Sequence, residues 1–287
     1  ASDILPRKGN AVRQGEKRMA DRMYQFGFIG MGNMGYAILK GLLGVYSPEK
    51  ITFSARNQEK IQDIAARTDV KPSENNRACA SSCKYLVLAV KPQQLDAVME
   101  EIRDAVDESQ IVISIAPGIT MENLRKRFGK PCRIVRAMPN TPALVGEGMT
   151  GVSYDSEELS QEEIQVIHQF FQSFGRITVV EEKLMDAVVC ASGSSPAYVY
   201  MFMEALADSV VKYGIPRAAA YELVAQTVLG SAKMVLETGE HPGLLKDKVC
   251  SPGGTTIAGV AALEENGLRG AVFHATDACY EKCTKIK

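Results

Sequence analysis

A mostly parallel α/β sheet domain followed by an all-α domain is predicted for this chain of 287 residues. Three observations carry that prediction. Short apolar runs alternate with amphipathic stretches as far as Val180. The first run, Tyr24 to Ile29, ends in Gly30-Met31-Gly32-Asn33-Met34-Gly35. From Lys183 onward only helical patterns remain.

Taken in order, Tyr24–Ile29 reads as a strand, and Met34, Ile38, Leu42 and Leu43 then recur at helical spacing. Strand, G-x-G-x-x-G, helix is the context a dinucleotide-binding turn requires. Gly30 permits the tight turn, Gly32 lets the backbone approach a pyrophosphate, and Gly35 lets the helix pack against the strand. The second strand, Lys50–Ser54, runs into Ala55-Arg56-Asn57. An NAD site normally has an acidic residue here to hold the ribose 2′-hydroxyl. This chain offers Ser54, Arg56 and Asn57, which suit a 2′-phosphate, so NADPH is favoured over NADH.

Tyr85–Val90 and Gln110–Ala116 are uninterrupted apolar strands, as expected when helices cover both sheet faces. Lys91-Pro92 follows the first of them, at the carboxyl end where open α/β sheets bind ligands. Arg133–Met138 is a further strand and ends in Pro139-Asn140-Thr141-Pro142. Helices fill 58–66, 93–104 and 121–128. Residues 146–154 and 176–180 read as strands with a helix at 160–173 between them. Together, residues 23–182 describe a Rossmann-type, doubly wound sheet domain.

Residues 183–287 form the helical domain. Asp186–Ala191 is apolar and is interrupted by Ser192-Gly193-Ser194-Ser195-Pro196. A helix over 197–213 ends at Gly214, an apt residue after a helix C-terminus. It carries apolar residues on nearly every side, so it is expected in a core or at a subunit interface. The next helix opens near Pro216 and runs to about Glu237. A short helix follows at 244–249, and further helices at 257–265 and 268–284.

Between two of these lies Cys250-Ser251-Pro252-Gly253-Gly254-Thr255-Thr256-Ile257. Adjacent glycines leave backbone amides uncovered, and two hydroxyls precede an apolar run. A helix start presents unpaired N–H groups and a positive dipole end, which favour a carboxylate or phosphate.

Composition excludes several classes. Hydrophobic residues make up 46% and charged residues 23%, with a formal net charge of −1, so nothing favours nucleic acid or a membrane surface. No apolar run reaches membrane-span length. Seven cysteines, an odd number without a C-x-x-C pair, read as reduced thiols of a cytoplasmic protein, and no metal site is expected. Residues 1–22 are rich in Arg and Lys, and are expected to be a flexible arm.

The order of Gly30–Gly35, Ala89-Val90-Lys91-Pro92, Met138-Pro139-Asn140-Thr141-Pro142, Ser192–Tyr198 and Ser251–Thr256 resembles pyrroline-5-carboxylate reductase over nearly all of residues 24–284. The resemblance implies reduction of 1-pyrroline-5-carboxylate to L-proline by NADPH or NADH. It implies a C-terminal dimerisation domain, with homodimers often built further into a decamer. By motif, Gly30, Met31, Gly32, Asn33, Met34 and Gly35 would hold the pyrophosphate. Ser54, Arg56, Asn57 and Asn76 would hold the adenosine end; Val90, Lys91, Pro92, Ser114 and Ala116 would line the rest of the cofactor cleft. Ser251, Gly254, Thr255 and Thr256 would bind the substrate carboxylate, with Thr256 also at the imine nitrogen as the catalytic candidate. The chain departs from the family with Ser195 in place of Gly, and with Pro117 in place of Ala or Val. In similar hydroxyacid dehydrogenases a Lys stands where Val199 falls here, which argues against a hydroxyacid substrate. Two alternatives are reduction of another cyclic imino acid or keto acid, and a non-catalytic dinucleotide sensor.

Overall fold

The computed structural model describes residues 22–285; the expected N-terminal arm, Arg22 apart, lies outside them. Contacts between Cα atoms divide the chain into two units. One ends at Gly193 and takes in Cys283; the other is Ser194–Lys282.

The first unit is built on eight strands: β1 (Tyr24–Ile29), β2 (Ile51–Ser54), β3 (Lys71–Pro72), β4 (Cys83–Leu88), β5 (Ile111–Ser114), β6 (Arg133–Met138), β7 (Gly148–Tyr154) and β8 (Gly175–Val179). They lie in the order β3-β2-β1-β4-β5-β6-β7-β8. The first six are parallel, β7 runs antiparallel to β6, and β8 is parallel to β7. The reversal between β3-β2-β1 and β4-β5-β6 puts the switch point at the carboxyl ends of β1 and β4, where a doubly wound sheet binds its ligand.

Two cores explain why these strands are apolar on both sides. One face packs Phe26, Phe28 and Phe53 against α1 (Asn33–Leu42), α2 (Gln58–Thr68) and α6 (Gln161–Gln172), with Phe170, Phe171 and Phe174 clustered on it. The other packs Leu86, Leu88, Val112 and Ile134 against α3 (Asn76–Ser82), α4 (Pro92–Ile102) and α5 (Met121–Phe128). Caps fix several helix starts: Asn57 accepts from Lys60 N, Asn75 from Ala78 N and Thr120 from Asn123 N, and Ser160 and Glu163 form a reciprocal capping box.

Some expected boundaries shift. Lys50 closes a 3₁₀ turn before β2, and Val90 lies beyond β4. Gln110 and Ala116 fall outside β5. Neither β3 nor α3 announces itself in the sequence, because a two-residue edge strand and a seven-residue helix are too short to show a period.

Charged groups are buried in this unit around Glu163 and around Arg136. Arg136 of β6 has a side chain only 3% exposed, with Nη1 3.2 Å from Glu182 Oε1 and Nη2 3.9 Å from Asp186 Oδ1. Glu182 Oε1 also accepts from Met121 N at the start of α5. The chain leaving β8 through α7 (Met185–Val188) is thereby fastened to the sheet.

The second unit has α8 (Ser195–Val211), α9 (Arg217–Thr238), α10 (Pro242–Val249), α11 (Thr255–Glu265) and all but the last two residues of α12 (Leu268–Thr284). Its buried core is small: Ala207, Ala220 and Val224, where α8 meets α9. Most large apolar side chains are exposed instead, among them Tyr200, Met201, Leu223, Leu236, Val272 and Phe273. Ala207 of α8 is buried, with Met203, Val210 and Val211 partly buried against the same core, and the rest of the helix's apolar surface is left exposed. An area this apolar marks an interaction surface. Among the described residues, no helix is long and apolar enough to cross a membrane.

Candidate functional site

The glycine-rich turn after β1 is shaped by contacts. Gly30 has a φ of +96°, and a Cβ there would lie 2.6 Å from Ala89 O and 2.8 Å from Val90 Cγ1. A Cβ on Gly35 would lie 2.7 Å from Gly30 O. At Gly32 a Cβ would meet no protein atom within 4 Å. The first and third glycines therefore serve the fold, and the second leaves open space. Gly32 is the N-cap of α1, without a side-chain cap and with no acidic residue in the first turn. First-turn N–H groups and the positive helix end are thus left for an anion. This cradle fits the pyrophosphate of a dinucleotide.

The turn opens into a cleft of about 240 Å³. Of the residues expected to bind cofactor, Gly30, Met31, Gly32, Ser54, Arg56, Asn57, Asn76, Val90 and Lys91 line it. Asn33, Met34, Gly35, Pro92, Ser114 and Ala116 do not. Asn33–Gly35 are spent forming the first turn of α1 and Pro92 opens α4, while Ser114 and Ala116 are buried. The structure adds Lys60, Gln94 and Val98 to the lining. Lys60 lies one helical turn from Asn57, and Gln94 one turn from Lys91. Those helical spacings were the available signal. Arg56, Lys60 and Lys91 give the wall three cations, and no carboxylate lines it.

Ser54 and Asn76 are held by a short chain of hydrogen bonds. Ser54 Oγ donates to Asn76 Oδ1 at 2.7 Å, and Asn76 Nδ2 donates to Glu101 Oε2 of α4 at 2.5 Å.

The second anion-binding candidate belongs to the helical unit. Helix α11 starts at Thr255, two residues earlier than its apolar run suggests, and Gly254 is its N-cap. Gly253 takes a φ of +68°, and Gly254 N donates to Ser251 O at 3.0 Å, closing a turn. A Cβ on Gly254 would press on Ser251 Oγ. The cap has no side-chain hydrogen bond and the first turn no acidic residue. The structure thus brings Ser251, Gly254, Thr255 and Thr256 together on one exposed helix start. Three hydroxyls and free backbone N–H groups there can hold a small carboxylate.

Other motif residues prove structural. Buried Asn140 accepts from Met149 N at 2.8 Å and donates to Ser192 O at 3.0 Å, which pins the π-helical turn Val189–Gly193. Cys279 Sγ donates to Ser194 Oγ at 3.3 Å beside the start of α8. Burial pushes the Cys79 thiol up to about 12 and holds the Cys83 thiol well above its ordinary value, so neither serves as a nucleophile.

Residues 25–118 match the family model described as NADP oxidoreductase, coenzyme F420-dependent. Residues 182–286 match that described as pyrroline-5-carboxylate reductase dimerisation. The pyrroline-5-carboxylate reductase of Escherichia coli K12 is 46% identical over 264 residues, 91% of this chain and 98% of the relative. That of Synechocystis is 42% identical over the same span. Among solved structures, the enzyme from Coxiella burnetii superposes with a TM-score of 0.87 at 34% identity, covering 93% of this chain and 99% of its own. The Plasmodium falciparum enzyme with NADP bound gives 0.81 at 32% identity, covering 93% and 98%. At this identity and coverage, the shared motifs and the shared fold lead to one assignment: the chain belongs to the pyrroline-5-carboxylate reductase family.

Proposed function

We propose that the chain reduces 1-pyrroline-5-carboxylate to L-proline, the last step of proline synthesis, with NADPH as the preferred hydride source and NADH as the alternative. The observation that carries this reading is the uncapped start of α11, where Ser251, Thr255 and Thr256 surround a free helix N-terminus in a chain that also holds a dinucleotide cleft.

When bound in the cleft, the nicotinamide supplies a hydride. Gly32 and the first turn of α1 would hold the pyrophosphate, and Arg56 and Lys60 would take the 2′-phosphate. Ser251, Gly254 and Thr255 bind and orient the substrate carboxylate. Thr256 Oγ1 hydrogen-bonds the ring nitrogen or a water that delivers its proton. A cyclic imine is basic enough to accept that proton readily, so a hydroxyl suffices and no strong acid is required. Catalysis is then a matter of orientation and electrostatics.

The exposed apolar surface of α8–α12 supports a homodimer, built further into a decamer. The seven cysteines are all free thiols, which suits a cytoplasmic enzyme. The deciding experiment is the initial rate with 1-pyrroline-5-carboxylate and each nicotinamide cofactor, beside the six-membered cyclic imino acid. Faster turnover of the six-membered ring would overturn the substrate. Absence of turnover with both, despite cofactor binding, would leave a dinucleotide sensor. The variant Thr256→Ala is expected to lose at least tenfold in kcat/KM; a change within a few-fold would remove Thr256 from the proton path.

A further inference from the structure

The end of β2 carries a polarity that the cleft lining alone does not reveal. Ser54 is 4% exposed, and its hydroxyl faces Asn76 Oδ1 at 2.7 Å. The other end of the same amide, Nδ2, faces Glu101 Oε2 at 2.5 Å. Ser54 and Asn76 line the cofactor cleft; Glu101 stands behind Asn76 and outside the lining. An amide flanked by two hydroxyls could sit either way round, because a hydroxyl both donates and accepts. A carboxylate only accepts. Glu101 therefore fixes the NH₂ of Asn76 toward itself and the carbonyl toward Ser54. Ser54 must then spend its one proton on Asn76, so what its oxygen has left is acceptor capacity.

The end of the second strand is where a Rossmann-type sheet meets the adenosine ribose. In NAD sites a carboxylate there accepts from the ribose 2′-hydroxyl. This chain has Ser54 in that place. We propose that Glu101 is a positioning residue which, through Asn76, makes Ser54 an acceptor for a ribose hydroxyl and so sustains the use of NADH beside NADPH. The 2′-phosphate of NADPH offers acceptor oxygens only, so Ser54, which the sequence suggested for that phosphate, contributes nothing to it while its proton is given to Asn76, and the phosphate relies on the Arg56 and Lys60 cations. The inference rests on the dinucleotide reading of the cleft but not on the identity of the imino acid.

The test is direct titration of NADH and NADPH by their fluorescence on the intact protein, for wild type, Glu101→Ala, Glu101→Gln and Ser54→Ala, with thermal midpoints measured alongside. Glu101→Ala frees the Asn76 amide to turn. The Kd for NADH is expected to rise three- to tenfold and that for NADPH to change less than twofold or fall, with the midpoint nearly unchanged. Glu101→Gln keeps an acceptor for Asn76 Nδ2 and should restore most of the NADH affinity. Ser54→Ala should weaken NADH similarly and make a further Glu101→Ala substitution silent. Equal weakening of both cofactors by Glu101→Ala, or additive effects in the double variant, would overturn the proposal. Should neither cofactor bind wild-type protein, the dinucleotide reading itself fails, and that outcome is separate from the others.

Discussion

Two glycines of one motif should fail in opposite ways. Replacing Gly32 by Ala puts a methyl group where no protein atom lies within 4 Å, at a φ of −68° that any residue adopts. Losing Gly at a helix N-cap costs a few tenths to about 1 kcal/mol, and the lower entropy of the unfolded chain returns about 0.4–1 kcal/mol. The net change is close to zero. The new methyl instead occupies the approach of the pyrophosphate to the first turn of α1. Cofactor affinity should fall ten- to a hundredfold, which is about 1.4–2.7 kcal/mol. Gly30→Ala meets a φ of +96° and an overlap with Ala89 O at 2.6 Å. A side chain in left-handed backbone costs about 1–2 kcal/mol, and relieving the overlap costs about 1–3 more. For a chain of this size, that lowers the thermal midpoint by roughly 4–15 °C. Denaturant unfolding and NADPH fluorescence titration read the two effects separately. Equal destabilisation by both variants, or full cofactor affinity in Gly32→Ala, would refute the assignment of one glycine to the fold and the other to the ligand.

Electrostatics supplies the remaining predictions. Arg56→Ala and Lys60→Ala should each weaken NADPH several-fold more than NADH, because only the former carries the 2′-phosphate; equal losses in paired titrations would exclude that contact. Arg136→Met removes the guanidinium from between Glu182 and the largely buried Asp186, and should cost about 2–4 kcal/mol in urea unfolding. Glu163 is pushed up by burial, but the Ser160 backbone N–H, Arg133 and Lys84 outweigh that and hold it below its ordinary value of 4.5. Its stabilisation is thus fully present above 4.5 and is lost as pH falls through the lower folded value. A wild-type urea midpoint that drops more steeply than that of Glu163→Gln between about pH 6 and about pH 3 would agree; parallel curves would not.

Much of this molecule is written locally in its sequence. The turn at Gly30–Gly35, the apolar strands ending at Ile29, Leu88 and Ser114, and the capped helix starts at Asn57 and Thr120 all follow from periods and propensities a few residues long. The Gly-Gly-Thr-Thr loop was legible in the same way, though α11 begins at Thr255 because Gly254 supplies the cap before the apolar run starts. The cleft wall was only partly legible. Lys60 and Gln94 enter it because their helices start at Asn57 and Lys91, which turns one residue of the first turn back toward the sheet end. What the tertiary structure alone decided involves partners far apart in the chain: Ser54, Asn76 and Glu101 in one hydrogen-bonded chain, Arg136 with Glu182, and β7 running against β6. No local pattern encodes such pairs. A carboxylate or guanidinium is a solvated surface group by default, and only packing that removes the water gives it one obligatory partner.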